Sequence, residues 1–118
     1  MFCVVEVDNG LQIGDVVAWN GVKFAIATNL NSPLGVLIEP ASLNADDNKN
    51  YAPVTFAGVA WARSSRDIPN QGGEFTVENG RIYVNDSNDI TGGGGIVSPL
   101  PRGQSSRVAG DLVMIHIR

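Results

Sequence analysis

The chain has 118 residues, a formal net charge of −4 and 43% hydrophobic residues, which suits one globular domain with a modest core. No basic stripe could follow a phosphate backbone, and no amphipathic or long apolar segment suits a bilayer, so nucleic-acid binding and membrane attachment are not expected. Charged residues make up only 17%, while 14 glycines and many asparagines indicate either a turn-rich β domain or a protein that buries much of its surface against partners.

The N-terminal residues 1–10 are predicted to form an arm or an edge strand. Phe2 and Val4 are candidate contact residues, because an N-terminal strand can add to a sheet edge on an adjacent subunit. Cys3 is the only cysteine, so no intrachain disulfide is possible and a reducing compartment is expected; its apolar neighbours predict a buried side chain. No signal peptide is recognisable, so synthesis in the cytoplasm is expected.

Alternating apolar residues predict strands along most of the chain. Large apolar residues take every second place in residues 22–27 and again in residues 75–84. In the last strand, residues 111–117, both faces are largely apolar, which predicts that this strand is covered on each side.

Two Asn-Gly dipeptides separate such runs, at residues 20–21 and 79–80. Because this dipeptide tolerates the two positive φ angles of a type I′ turn, both positions are predicted to be β-hairpins.

Three polar or glycine-rich stretches are predicted to be loops. Residues 40–50 are expected to hold at most one helical turn, residues 85–95 to be flexible, and residues 98–106 to be an extended connection with prolines. Closely spaced strands without a helical stretch predict an all-β fold, a small single-domain β-barrel or β-sandwich with long loops spanning residues 1–118.

Patterns for catalysis or metal binding are incomplete. The glycines at 92–95 lack the Lys-Ser/Thr of a P-loop, and residues 86–97 have Thr91 and Val97 where an EF-hand needs Gly and Glu. His116 is the only histidine and lacks a recognisable nucleophile or metal-ligand partner, so a packed or edge-exposed strand residue is expected. We therefore expect no enzyme, no catalytic residue, no cofactor and no metal.

Trp19 and Trp61 are candidate binding residues, because tryptophan is enriched at interface hot spots and aromatic platforms also bind sugars. Trp19 stands beside a predicted hairpin turn, where side chains are often exposed. Trp61 belongs to a strand of small residues, which favours a place in the core over one at an interface. A carbohydrate-binding β-module is therefore an alternative function.

The layout from residue 14 to the C-terminus resembles the capsid cement, or head decoration, proteins of tailed bacteriophages. The features that carry the resemblance are a Gly-Asp strand opening at 14–17 (GDVV), a Gly-Val strand entering a polar loop at 35–39 (GVLIE), a central strand at 54–60 (VTFAGVA), a strand–turn–strand at 75–84 and a short closing strand at 112–117.

The resemblance implies a virion structural protein that is made in the host cytoplasm, binds the outside of an assembled capsid and stabilises it against internal pressure. Its partners would be the major capsid protein and further copies of itself, as a trimer or cluster at symmetry axes. Attachment of a tail or head fibre is another phage structural role with the same needs.

Charge is divided unevenly along the chain. Residues 1–62 carry two lysines against six carboxylates, a net of −4, whereas residues 63–118 carry six arginines against six carboxylates, a net of zero. The arginine-rich half of one copy meeting the acidic half of the next predicts a head-to-tail contact through Arg63, Arg66 and Arg107.

Overall fold

The structure is a computed structural model that describes residues 2–28, 34–84 and 95–117. Every regular element in these ranges is a β-strand, which confirms the all-β prediction. The strands are β1 Phe2–Val7, β2 Val16–Trp19, β3 Phe24–Ile26, β4 Leu34–Leu37, β5 Ser42–Asn44, β6 Lys49–Thr55, β7 Gly58–Arg63, β8 Gly73–Glu78, β9 Arg81–Val84, β10 Gly95–Val97 and β11 Leu112–Ile117. The described residues include no helix that could cross a membrane.

Strands β1, β3, β2, β4 and β6, in that order, close into a five-stranded barrel. Closure comes from β1, which pairs antiparallel with β6 along its whole length, from Phe2 opposite Thr55 to Val7 opposite Asn50. β5 pairs with the first residues of β6. Apolar side chains fill the interior of the barrel: Val7, Leu11, Val17, Phe24, Leu37, Ala52 and Val54.

The second sheet has five antiparallel strands in the order β7-β11-β10-β8-β9. It curls until its two edge strands approach one another, where Ser64 forms a parallel bridge with Ile82 and the Ser65 N–H donates to the Ile82 carbonyl at 2.8 Å. The inner face of this sheet is apolar throughout and buries Ala60, Ala62, Phe75, Val77, Ile82, Val97, Val113, Ile115 and Ile117.

The barrel and the second sheet share one wall, formed by β2 and β4. Successive residues of a strand point to opposite faces, so Val17 and Leu37 enter the barrel core while Val16 and Val36 join the core of the second sheet. The chain passes from one sheet to the other at residues 56–57, between β6 and β7. The single strand predicted at 54–60 is therefore two strands.

The hairpin predicted at residues 79–80 is present with the predicted turn. Asn79 and Gly80 have φ angles of 48° and 78°, and Glu78 pairs with Arg81. Two positive φ angles at the central residues define a type I′ turn.

The hairpin predicted at residues 20–21 is also present, but its turn lies one residue further along. The Asn20 N–H donates to the Lys23 carbonyl at 3.0 Å, so Gly21 and Val22 are the central residues, and only Gly21 has a positive φ, at 100°. This is the pattern of a type II′ turn. Val22, predicted on a buried face, is therefore at the tip and 73% exposed.

Residues 40–50 form a β-hairpin where a polar loop was predicted. β5 and β6 enclose a turn in which the Asn48 N–H donates to the Asn44 carbonyl at 2.8 Å and the Asn44 side chain accepts the Asp46 N–H. Short polar side chains stabilise such turns by bonding to nearby main chain. Residues 98–106 lie outside the strands, as predicted. The glycine-rich motif at 92–95 and the calcium-like motif at 86–97 lie outside the described residues, apart from residue 95 of the first and residues 95–97 of the second.

The prediction that Cys3 is buried is wrong. Burial along β1 decreases from Val7, which is buried, towards Phe2, which is exposed, and the Cys3 thiol is exposed. Cys3 thus lies beyond the part of the strand that contributes to the barrel core.

Candidate interaction surface

Two turns of the same design lie where the barrel meets the second sheet, at residues 12–15 and 108–111. In each, the aspartate N–H donates to the carbonyl three residues earlier, and the aspartate Oδ2 accepts the N–H of that earlier residue. The third residue is a glycine with positive φ, 85° in the first turn and 94° in the second. Both are type II turns, which explains why each of these strands opens with Gly-Asp.

Arg63 ties the two turns together. Its guanidinium donates to the Gly110 carbonyl at 2.6 Å and to the Ile13 carbonyl at 3.4 Å, and its main-chain N–H donates to the Gly14 carbonyl at 3.0 Å. The contact to a neighbouring copy that was predicted for Arg63 does not fit this arrangement, because its guanidinium is used inside the chain.

On the side of the second sheet that points away from the core, half of the surface is open and apolar. Val59 and Trp61 on β7 lie directly opposite His116 and Met114 on β11, and Ile96 on β10 lies on the other side of His116. Val59 is 62% exposed, Trp61 47% and Ile96 42%. We call this surface the outer face; its apolar residues are Val59, Trp61, Ile96, Leu112 and Met114.

The outer face corrects the prediction that the last strand is covered on each side. One side of β11, with Val113, Ile115 and Ile117, is buried in the core, whereas Leu112 and Met114 on the other side are only partly buried and His116 is exposed. His116 is thus an exposed strand residue among apolar neighbours.

An apolar groove of about 400 Å³ runs along the junction between β7 and the barrel. Ile13 and Ile38 form its barrel wall, and Val59, Trp61 and Leu112 form its wall on the second sheet. Because Val59, Trp61 and Leu112 belong to both, the groove and the outer face are one continuous apolar surface.

The other half of the same sheet face, on β8 and β9, is polar. Glu78 lies opposite Arg81 and Thr76 opposite Tyr83. Arg66 donates to the Glu78 carboxylate at 3.0 Å, and its guanidinium carbon lies 3.8 Å from the centre of the Tyr83 ring. The face is therefore divided into an apolar half and a charged half, and Arg66, unlike Arg63, stays exposed on it.

The other predicted contact residues lie on the barrel. Trp19 is half-exposed at the end of β2, with its ring edge-on to Phe24 at 5.3 Å between ring centres. Phe2 and Val4 are exposed on β1, and Val4 lines a shallow depression with Leu43. The structure therefore does not bring the predicted residues together into one site.

Arg107, predicted to contact a neighbouring copy, is buried within the chain, with 6% of its surface exposed. Its guanidinium donates to the Ser98 carbonyl at 2.7 Å and to the Pro69 carbonyl at 2.9 Å, and its carbonyl accepts the Ile68 N–H. Arg107 thus fastens the long connection before β11 to the segment before β8.

Tyr51 and Asp47 on the β5–β6 hairpin shift each other's pKa. The Tyr51 hydroxyl donates to the Asp47 carboxylate at 2.5 Å. This bond lowers the pKa of Asp47 and raises the pKa of Tyr51. Among the residues that the structure describes, no three His, Cys, Asp or Glu side chains are grouped so that they could hold a metal ion.

Fold and surface together define a small all-β domain with a closed barrel and a second sheet that carries the exposed, apolar outer face. Comparison with protein-family models, curated proteins and solved structures finds no match.

Proposed function

We propose that the chain is a capsid decoration protein that binds the outer surface of a phage capsid and stabilises it. The observation that carries the proposal is the outer face: three large apolar side chains are exposed on one side of a hydrogen-bonded sheet, Val59 and Trp61 on β7 and Ile96 across β11 from them. The layout that resembles phage cement proteins points to the same role.

The distribution of residue types on this sheet suits a protein contact. Interface centres are depleted of charge and enriched in aromatic residues and methionine, and they are surrounded by a polar rim. Trp61 and Met114 stand at the apolar half, and Arg66 and Glu78 at the charged half beside it. Binding to a shell requires this kind of surface on a stiff support and needs no catalytic group.

The partner in this proposal is the major capsid protein, with copies of the chain grouped as a trimer or cluster at symmetry axes of the virion. Of the three arginines predicted to meet a neighbouring copy, only Arg66 has a largely exposed guanidinium, and its contacts within the chain are with the side chains of Glu78 and Tyr83 at the surface. Reversal of its charge is therefore the informative test of that contact, because it breaks only an exposed ion pair with Glu78, whereas reversal of Arg63 or Arg107 would remove bonds to main-chain carbonyls of distant segments.

The test is to mix the purified chain with expanded, undecorated capsids, to count bound copies by co-sedimentation and to locate them by cryo-electron microscopy. We expect saturable binding at fixed lattice positions and a higher temperature of capsid rupture. Ile96→Asp on the outer face should abolish binding, whereas Val22→Asp at the hairpin tip is the matched control, since both side chains are exposed.

Two results would replace the proposal. Binding of the free chain to a glycan array, with quenching of tryptophan fluorescence and no affinity for capsids, would indicate a carbohydrate-binding module. Binding to isolated tails or head fibres, but not to the shell, would indicate an attachment protein. Equal capsid binding by wild type and Ile96→Asp would leave the outer face without a role.

A further inference from the structure

Strand β7 has a free edge. The Ser64 N–H donates towards β11, to the Asp111 carbonyl at 2.9 Å, whereas the Arg63 N–H points the opposite way. In an antiparallel pair, successive residues alternate between bonding to the partner and facing away from it. Val59 and Trp61, which are in phase with Arg63, therefore direct their N–H and C=O groups away from β11.

This free edge opens into the apolar groove. Within residues 2–28, 34–84 and 95–117, no strand pairs with Val59 or Trp61 on that side. Ile13, Ile38 and Leu112 form the groove beside it. Unpaired main-chain groups next to an apolar groove are the elements of strand addition, in which the main chain of an extended peptide pairs with a sheet edge and its alternate side chains fill the pockets.

We propose that the groove between β7 and the barrel is a strand-addition site for an extended segment of the partner protein, with apolar residues at alternate positions. The segment pairs with the main chain of Val59 and Trp61 and places its apolar side chains against Ile13 and Ile38. The identification of that partner as the capsid subunit rests on the proposed function; the site itself does not.

The shape of the groove favours a single extended segment over a second copy of the chain. Ile13 and Ile38 on the barrel line the same groove as Val59 and Trp61 of β7, so the barrel forms a wall beside this edge. A second copy would bring the same wall beside its own β7, and the two walls would keep the edges apart. At one end the site is already closed, because the Gly14 carbonyl accepts the Arg63 N–H.

Charge adds a requirement on the segment. Glu39 follows Ile38 at the barrel wall, is exposed, and is in none of the ion pairs formed by the described residues. The half of the chain that contains it carries a net charge of −4, from two lysines and six carboxylates. A lysine or arginine flanking the apolar residues of the segment therefore complements the groove.

The first experiment uses the full chain and the synthetic peptide acetyl-Lys-Val-Thr-Val-Thr-Lys-amide, with amide hydrogen exchange followed by NMR. The Val59 and Trp61 amides should exchange quickly in the free protein and become protected when the peptide is added. Two further peptides carry N-methyl groups, one at its valines and the other at its threonines. Only one of the two should fail to protect the amides, because only one of these two sets of N–H groups faces β7. Replacing the flanking lysines with glutamates should weaken binding roughly three- to tenfold.

Two outcomes of this experiment would overturn the proposal. One is that the peptide changes nothing, either because both amides are already protected in a monomeric free chain or because both stay unprotected when the peptide is added. The other is that they are protected because the free chain forms a dimer, which would assign the edge to a second copy.

A pair of variants extends the test to capsids. Val59→Pro removes an N–H that bonds to nothing within the described chain, and proline is tolerated at free strand edges; Val59→Thr keeps the N–H and is the matched control. If wild type and Val59→Thr bind capsids and Val59→Pro does not, strand addition is supported. If all three bind equally, strand addition on the capsid is refuted while the proposed function stands. If wild type ignores capsids, the proposed function fails and the peptide experiment alone decides on the site.

Discussion

Alanine at Gly14 should destabilise the fold much more than alanine at Gly110, although the two glycines occupy the same position of the same kind of turn. Their φ angles are 85° and 94°, so a side chain is strained at both. They differ in their surroundings. A Cβ at Gly110 would meet nothing within 4 Å, whereas a Cβ at Gly14 would lie 2.3 Å from Leu112 Cδ2 and 3.2 Å from the Arg63 nitrogen.

The two contributions can be separated. A left-handed backbone costs a non-glycine residue about 1–2 kcal/mol, which both variants lose. Overpacking adds about 1–3 kcal/mol at Gly14 alone, because Leu112 can turn away but the Arg63 main chain cannot move freely while it bonds to the turn. We therefore expect a loss of about 1–2 kcal/mol for Gly110→Ala and about 2–5 kcal/mol for Gly14→Ala.

Urea denaturation followed by circular dichroism measures both free energies of unfolding on the same scale. For a chain of this length, 1 kcal/mol corresponds to roughly 4 °C in Tm, so thermal unfolding gives a second reading. Equal losses for the two variants would refute the packing argument, since backbone strain would then account for everything. A larger loss of unfolding free energy for Gly110→Ala than for Gly14→Ala would contradict the surroundings that the structure gives to the two glycines.

Four further predictions follow from single contacts. Arg107→Met should lower the free energy of unfolding by about 2–4 kcal/mol in urea, because two carbonyls lose their donor. Asn79→Ala should cost about 1 kcal/mol and Asn79→Gly almost nothing, because only alanine is strained at a φ of 48°; thermal unfolding distinguishes them. Tyr51→Phe should raise the pKa of Asp47 towards its ordinary 3.8 in an NMR titration. The folded pKa of Asp47 is the lower one, so the stabilisation by this bond is present above pH 3.8 and lost as the pH falls through the folded pKa. Trp61→Ala should weaken the proposed capsid binding up to about 70-fold, since covering the exposed 47% of this residue buries about 100 Å², or about 2.5 kcal/mol; a Kd unchanged in co-sedimentation would exclude Trp61 from the contact.

The fold class could be predicted from sequence because it depends on local patterns. Alternation and the Asn79-Gly80 turn are properties of a few adjacent residues, and the structure has the strands and the turn where they were predicted. The face that each strand buries was harder. A period of two shows that a strand has two faces without showing which one is inside.

Trp61 illustrates the difficulty. Its strand alternates large residues with Ala60 and Ala62, and the large ones were the natural choice for a core. The structure buries the alanines, because they face an interior already filled by residues such as Phe75 and Ile115. The groove depends on the outward orientation of the large residues of β7 and on a contact between Gly14 and Arg63, which are far apart in the chain. Neither can be read from local sequence.

The burial of Arg107 could not be predicted from sequence for a related reason. Arginine is rarely buried without partners, and its partners here are the carbonyls of Pro69 and Ser98, main-chain groups that every residue has. No sequence pattern indicates which carbonyls a distant arginine will meet, so its burial follows from topology alone.

The wall that β2 and β4 share has a consequence for how the molecule comes apart. Val16 and Val17, neighbours in one strand, belong to different cores, as do Val36 and Leu37. Melting either core would strip the opposite side of the same two strands, so neither half can persist as a folded fragment. Heating should therefore produce one calorimetric peak whose van't Hoff and measured enthalpies agree.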